Sequence, residues 1–354
     1  MNKMTKGILL VLFVISAVAA LGKVFVWGES VTNYGAYTPW GLWVGLYIFL
    51  VGTAAGAAWM GLYSAYSNGG NPNRFTSISF IVATACLAFG LAFIGSDLGK
   101  PMKGITIFLN PSFSSKLAWA SWIYGAFFVC VAGYFLTNAK KAFMVLAGLA
   151  SAGFLLAEGF FFGGMVARSL WHSWLTPLSF FTSALAGGSA VAYAIGSLTD
   201  KETIEKEAAP VSKVVLMALI IHVLVEGIHI AVGLGGEAEK AAMTKAMVAA
   251  VPFWGVFAIA GVVIPAVMLL KSTGRISVFP LALVALGMAA YKYRFVRYGF
   301  STEPLDGLAK AFQHSKLSLV YTPSTLEWVI AVGFLAGVVW VASFAIEKLV
   351  TKNV

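Results

Sequence analysis

The sequence predicts an all-α, polytopic integral membrane bundle of about ten transmembrane helices. Three observations carry that expectation. Of 354 residues, 60% are hydrophobic and only 11% are charged, where a soluble domain carries about a quarter charged. The apolar residues gather into ten runs, each near the ~20 residues that a bilayer core requires. No run alternates polar and apolar with period two, as a membrane barrel would. The backbone of each run must then satisfy itself as a helix.

The runs are 7–27, 40–65, 75–96, 117–136, 142–166, 177–198, 213–235, 252–271, 276–298 and 325–347. In the first, Lys3 and Lys6 precede an apolar stretch with Ala17-Val18-Ala19, which also fits a cleaved signal peptide. The stretch continues past that site, which favours a span. Gly52 and Gly56 in the second run make a GxxxG step, as do Gly159 and Gly163 in the fifth. Such steps let helices approach closely, and simple packing is their plainest role. Between the sixth and seventh runs, the polar linker 199–212 holds most of "DKETIEKEAAPVSK" and reads as a solvated connection. Residues 236–251 read as a short surface helix. Before the last run, Ser324 and Glu327 form an S-x-x-E capping box.

The net charge of +10 does not point to nucleic acid. The basic residues lie between or at the ends of apolar runs, where they meet membrane lipid. The 24 Lys and Arg divide evenly between the two sides, so charge bias leaves the orientation open. Cys86 and Cys130 sit inside apolar runs. Two thiols do not make an iron–sulfur cluster, which takes four ligands. His222 and His229 share one helix, about 10 Å apart along its axis, a poor arrangement for haem. The other two histidines, His172 and His314, lie in connections. No metal site, haem or iron–sulfur cluster is expected here.

Glu158 and Glu226 are the two acids well inside the runs, in the related settings "LLAEGFFFGG" and "VLVEGIHIAVG". A charge at mid-membrane costs about 2.5–3.5 kcal/mol on insertion scales, so such residues face the bundle interior with a partner or a task. With the N-terminus inside, both would lie roughly 12–14 Å below the outer boundary. The bland alternative is a neutral, hydrogen-bonded lock between helices. The functional one is proton exchange with a redox ligand, since a carboxyl away from water can trade protons near neutral pH. His222, Glu226 and His229 fall on one helical face, so the histidines join the proton-carrying candidates. Asp97, Arg168, His172, Lys292, Arg294 and Arg297 collect at the same outer end. Snorkelling explains any one of the basic residues, but their grouping above the glutamates suggests a site.

Four stretches resemble a known family. They are "PWGLWVGLYIFLVGTAAG" (39–56), "DLGKPMKGITIFLNPSFSSKLAWASW" (97–122), "ARSLWHSWLTPLSFFTSALAGG" (167–188) and "YTPSTLEW" (321–328). In this order they resemble the NrfD/PsrC-like family, the membrane subunits of polysulfide and nitrite reductases, in its longer ten-helix branch. The resemblance implies a quinone-interacting membrane anchor in a respiratory oxidoreductase complex of anaerobic type. Electrons would pass between menaquinone or ubiquinone and a ferredoxin-like iron–sulfur subunit, with terminal catalysis in a further, molybdopterin-type subunit. It implies a cytoplasmic (inner) membrane location with the working face outside, and a pocket that includes Trp40, Gly41 and Tyr47. Asp97, Arg168, His172 and Arg297 would shape its mouth and position the ring, while Glu158, Glu226, His229 and His222 would handle protons. Ser169 stands where proline is common in the family, and Glu158 where a hydroxyl or amide residue is common. Two further readings stay open: proton translocation coupled to the quinone chemistry, and an ion-coupled secondary transporter.

Overall fold

The computed structural model describes residues 1–110, 112–272, 276–303, 307 and 317–350, so His314 lies outside it. The regular secondary structure among the described residues is all helical, with no strand. The long helices are α1 (Lys3–Gly22), α2 (Leu42–Ser67), α3 (Arg74–Asp97), α4 (Lys116–Leu136), α5 (Lys141–Gly163), α6 (Leu175–Ser197) and α7 (Ala208–Leu234). There follow α8 (Phe253–Leu270), α9 (Val278–Tyr298) and α10 (Thr325–Leu349). The first half of α8, Phe253–Val263, is wound as a π-helix.

Nine of these are long and apolar enough to cross a membrane among the described residues. The tenth, α9, has 21 residues, but Lys292, Arg294 and Arg297 crowd its last two turns. The protein is a multi-pass helical membrane bundle, and α9 carries the polar load.

Helix α2 is the axis of the bundle. It packs against α3, α5, α6, α9 and α10, and nearly every side chain along it is buried. The small residues make this possible. A Cβ on Gly56 would strike the Ala184 carbonyl of α6, and one on Gly188 would strike the backbone of Gly56. A Cβ on Gly159 of α5 would likewise meet Pro177 of α6. Both glycine steps are therefore packing surfaces. Helix α1 lies against α10, where Gly333 accommodates Ser16 and Leu12.

The expected surface helix forms at Ala238–Ala249. The capping box forms too. Ser324 Oγ accepts from the Glu327 amide at 3.2 Å, and the Ser324 amide donates back to Glu327 Oε2 at 2.8 Å. The linker 199–212 departs from expectation. It is helical at Lys201–Lys206, and α7 already begins at Ala208. Its acids are not simply solvated: Asp200 pairs with Arg74 at 2.5 Å, and Ser64 donates to Glu207 at 2.8 Å. Ile204 and Val211 are buried beside them. Charge density marked a solvated loop, but apolar side chains at helical spacing dock the segment onto α3 and α6.

Candidate functional site

A cavity of about 380 Å³ opens among α2, α3, α4 and α5. Each helix supplies one stripe at helical spacing. Trp40, just ahead of α2, continues into Val44 and Tyr47. Leu91, Ile94 and Asp97 come from α3, and Leu117, Ala120, Ser121 and Tyr124 from α4. Glu158, Phe161 and Phe162 come from α5, and Lys100 and Lys103 from the turn after α3.

The polar groups divide by depth along these stripes. Tyr47 and Tyr124 join hydroxyls at 2.9 Å, and both are buried. Glu158, 3% exposed, lies within electrostatic reach of both phenols and of Lys292. Neither of its carboxyl oxygens makes a hydrogen bond of full geometry among the described residues, the Tyr47 phenol being the group close enough to offer one. Buried polar atoms are nearly always paired, because an unpaired one forfeits its hydration. At the other end of α3, Asp97 lines the cavity beside the Tyr34 phenol. Burial, and then the Asp97 charge, holds that phenol well above its ordinary pKa.

An aromatic wall closes the cavity at Trp40. Its ring stacks on Trp171 at 5.7 Å and 12°, with Phe162 and Phe300 meeting it edge-on. Trp171 is itself fixed by its indole N–H donating to the Phe295 carbonyl at 2.7 Å. A flat, apolar wall, two phenols and an ionisable carboxyl suit a planar ring bearing oxygens, and the volume lies in the ordinary range for small-molecule pockets.

Glu226 lies in a different setting. Its Oε1 accepts from Arg294 Nη2 at 2.7 Å, and both side chains are about 95% buried. The space beside the pair is about 10 Å³, lined by His229, Tyr291 and Phe295, room for about one water. The expectation that both carboxyls border one hollow therefore fails. Glu158 faces the large cavity, while Glu226 is engaged in a packed ion pair. His229 Nδ1 stands 3.9 Å from Glu226 Oε2, beyond hydrogen-bond distance. His222 Nδ1 meets Thr182 Oγ1 at 2.9 Å, and its ring sits edge-on to Tyr291.

The remaining candidates are scattered. Gly41 does not line the Glu158 cavity. A Cβ there would overlap the Tyr321 ring, whose hydroxyl accepts from the first α2 amide, Leu42, at 3.0 Å and donates to Glu327. Gly41 thus permits a tie between the ends of α2 and α10. Arg168 lies over the Phe300 ring at 4.4 Å, and burial, opposed by Glu239, holds its pKa below the ordinary value. His172 is exposed, with Nδ1 at 3.0 Å from the Gly163 carbonyl. Arg297 donates to the Leu319 carbonyl at 2.7 Å and lines a separate cavity. None of these three touches the Glu158 cavity. Ser169 donates to Glu239 at 2.5 Å, tying its loop to the surface helix.

Sequence reasoning missed Tyr124, Lys100 and Lys103 as lining residues, and Trp171 as the stacking partner of Trp40. Tyr124 had a findable signal, since it falls seven residues after Leu117 on one face of α4. Snorkelling, offered as the explanation for any one of the outer cations, does not describe Lys292 or Arg294. Both are buried, Lys292 with its ammonium 3.1 Å from the Phe180 ring centroid.

The comparisons with known proteins agree with this architecture. A selenate reductase subunit of Mesobacillus selenatarsenatis is 22% identical, the match covering 96% of this sequence and 93% of that protein. The Hdr-like menaquinol oxidoreductase integral membrane subunit of Archaeoglobus fulgidus is 27% identical, covering 84% and 81%. A polysulfide reductase component of Wolinella succinogenes is 25% identical, covering 68% and 86%. The family described as polysulphide reductase, NrfD, matches residues 30–302, which takes in α2 to α9 and every residue of the cavity. The chain belongs to that family.

Proposed function

We propose that this protein is the quinol-oxidising membrane subunit of a respiratory oxidoreductase complex, and that the Glu158 cavity receives the quinol ring. One relative is by name a menaquinol oxidoreductase subunit, and two others are by name parts of selenate and polysulfide reductases. The observation that carries the assignment of the site is the Glu158 carboxyl, buried, making no hydrogen bond of full geometry among the described residues, and lining a cavity walled by aromatic rings.

A bound quinol supplies two electrons and two protons. The Trp40 and Phe162 rings hold its ring plane and exclude water. The Tyr47–Tyr124 pair offers a hydrogen bond to one ring oxygen and orients it. Glu158, in its carboxylate form, accepts the two ring protons in succession and passes the first on before it takes the second, a role in which a positioned base is worth about 10²–10⁴ in rate. Asp97, with Lys100 and Lys103 beside it at the far end of the cavity, passes protons towards the surface. The electrons leave to an iron–sulfur partner docked over the end of the bundle where Trp40, Asp97 and Trp171 lie. That end is the outer face of the cytoplasmic membrane in this reading, and terminal reduction occurs in a further subunit.

The test is quinol oxidation by the purified complex bearing Glu158→Gln, with menaquinol and ubiquinol analogues in turn. Turnover should fall at least about 100-fold while the complex still assembles and binds quinone. Turnover at the unsubstituted rate would remove the proposed role of Glu158.

A further inference from the structure

A second cavity, of about 520 Å³, lies on the other side of α2. Leu42 and Leu46 line it, about half a helical revolution from Trp40, Val44 and Tyr47. Its remaining walls come from α8, α9 and α10, with Tyr321. Three of its lining residues, Leu286 of α9 and Trp328 and Val332 of α10, are about half exposed. The cavity therefore opens through the side of the bundle, where hydrocarbon lies against the helices, between α9 and α10.

Its polar equipment is cationic. Arg294 and Arg297, one turn apart on α9, both line it. Each spends one nitrogen inside the protein: Arg294 Nη2 on Glu226, and Arg297 Nη2 on the Leu319 carbonyl. Arg294 Nε and Nη1 and Arg297 Nη1 are buried without a hydrogen-bond partner among the described residues. Glu226 balances one of the two charges, and no ion pair reaches Arg297 among the described residues. Three unpaired donors on two guanidinium groups match the oxygens of a phosphate, the anion whose geometry the guanidinium fork fits.

We infer that this cavity binds an anionic phospholipid, its phosphate held by Arg294 and Arg297 and its acyl chains lying in the cleft between α9 and α10. The contrast with the Glu158 cavity argues against a second quinol at this place. No carboxyl lines the cavity among the described residues, and arginine does not surrender its proton, so nothing there accepts a proton from the ring. The lateral, apolar mouth argues against a free inorganic anion, which would enter from water. The inference stands on this cavity alone and does not depend on where quinol reacts.

The experiment uses the full-length protein, purified in detergent and stripped of lipid. It is titrated separately with dioleoylphosphatidylglycerol, dioleoylphosphatidylcholine and inorganic phosphate, and followed by native mass spectrometry and thermal unfolding. Phosphatidylglycerol should give a retained adduct and raise the unfolding temperature more than phosphatidylcholine, and inorganic phosphate should do neither. Arg297→Gln should reduce the preference for phosphatidylglycerol about tenfold, the scale of one charge-assisted hydrogen bond. Ala289→Trp, which fills the cavity without touching a charge, should abolish retention of the adduct. Equal stabilisation by the two lipids would overturn the inference. So would stabilisation by inorganic phosphate, displacement of the lipid by a menaquinone analogue, or an unchanged preference in both variants.

Discussion

Glu158 and Glu226 occupy matching sequence settings, yet the fold gives them opposite circumstances. Glu226 meets a guanidinium at 2.7 Å in a pocket with room for about one water. Glu158 meets two phenols and a cavity of about 380 Å³, and neither of its oxygens makes a hydrogen bond of full geometry among the described residues. The difference comes from the neighbours. Helix α9 turns Arg294 towards α7 and Glu226, whereas α2 and α4 offer Glu158 only hydroxyls. Glu226 is held in place by the cation on its Oε1, with only Oε2 left unpaired. A buried carboxyl left with spare lone pairs beside a cavity is available for chemistry. Similar local sequence thus encodes one acid tied into an ion pair and one acid left beside a cavity.

The comparison breaks most sharply at Arg294. Replacing it with Met strands the Glu226 charge, so stability should fall by about 3–5 kcal/mol. Pairing that change with Glu226→Leu should restore most of the loss, as read by thermal unfolding in detergent. If the double variant is no better than the single one, the pair is not what holds Glu226. Glu158→Gln should show the converse: quinol turnover lower by about 100-fold or more, with unfolding shifted far less than for Arg294→Met. Equal losses of stability at the two glutamates would erase the distinction drawn between them. Tyr47→Phe, which removes one hydroxyl of the pair beside Glu158, should lower kcat/KM for quinol by about tenfold, the scale of one buried hydrogen bond. The same change should leave the Glu226 pocket untouched. The smallest effect lies away from both acids. Ser324→Ala removes the α10 cap and should cost about 1 kcal/mol without changing turnover.

Much of the fold was legible because its signals are local. Run length, the glycine steps and the Ser324–Glu327 box each depend on residues a few positions apart, and each holds. The linker misled because its charges outnumber Ile204 and Val211, whose burial only the packed neighbours reveal. Glu158, Asp97, Trp40 and Tyr47 all line the cavity; the acids were foreseen because an acid at such depth needs a reason, and the aromatics because of the family resemblance. Arg294 as the partner of Glu226 was not foreseen. The two are 68 residues apart, and helices apolar on most sides give little sign of which face meets which neighbour. For the same reason Arg168, His172 and Arg297 were gathered into one site by depth alone. Equal depth is compatible with any direction around the bundle axis, and none of these three lines the cavity.

The Tyr321 hydroxyl joins the Leu42 amide to the Glu327 carboxylate, and Arg297 holds the Leu319 carbonyl close by. Together they work like a mooring: the chain entering α10 is tied to the first turn of α2 and the last turn of α9, so α10 cannot shift along its axis without disturbing both neighbours.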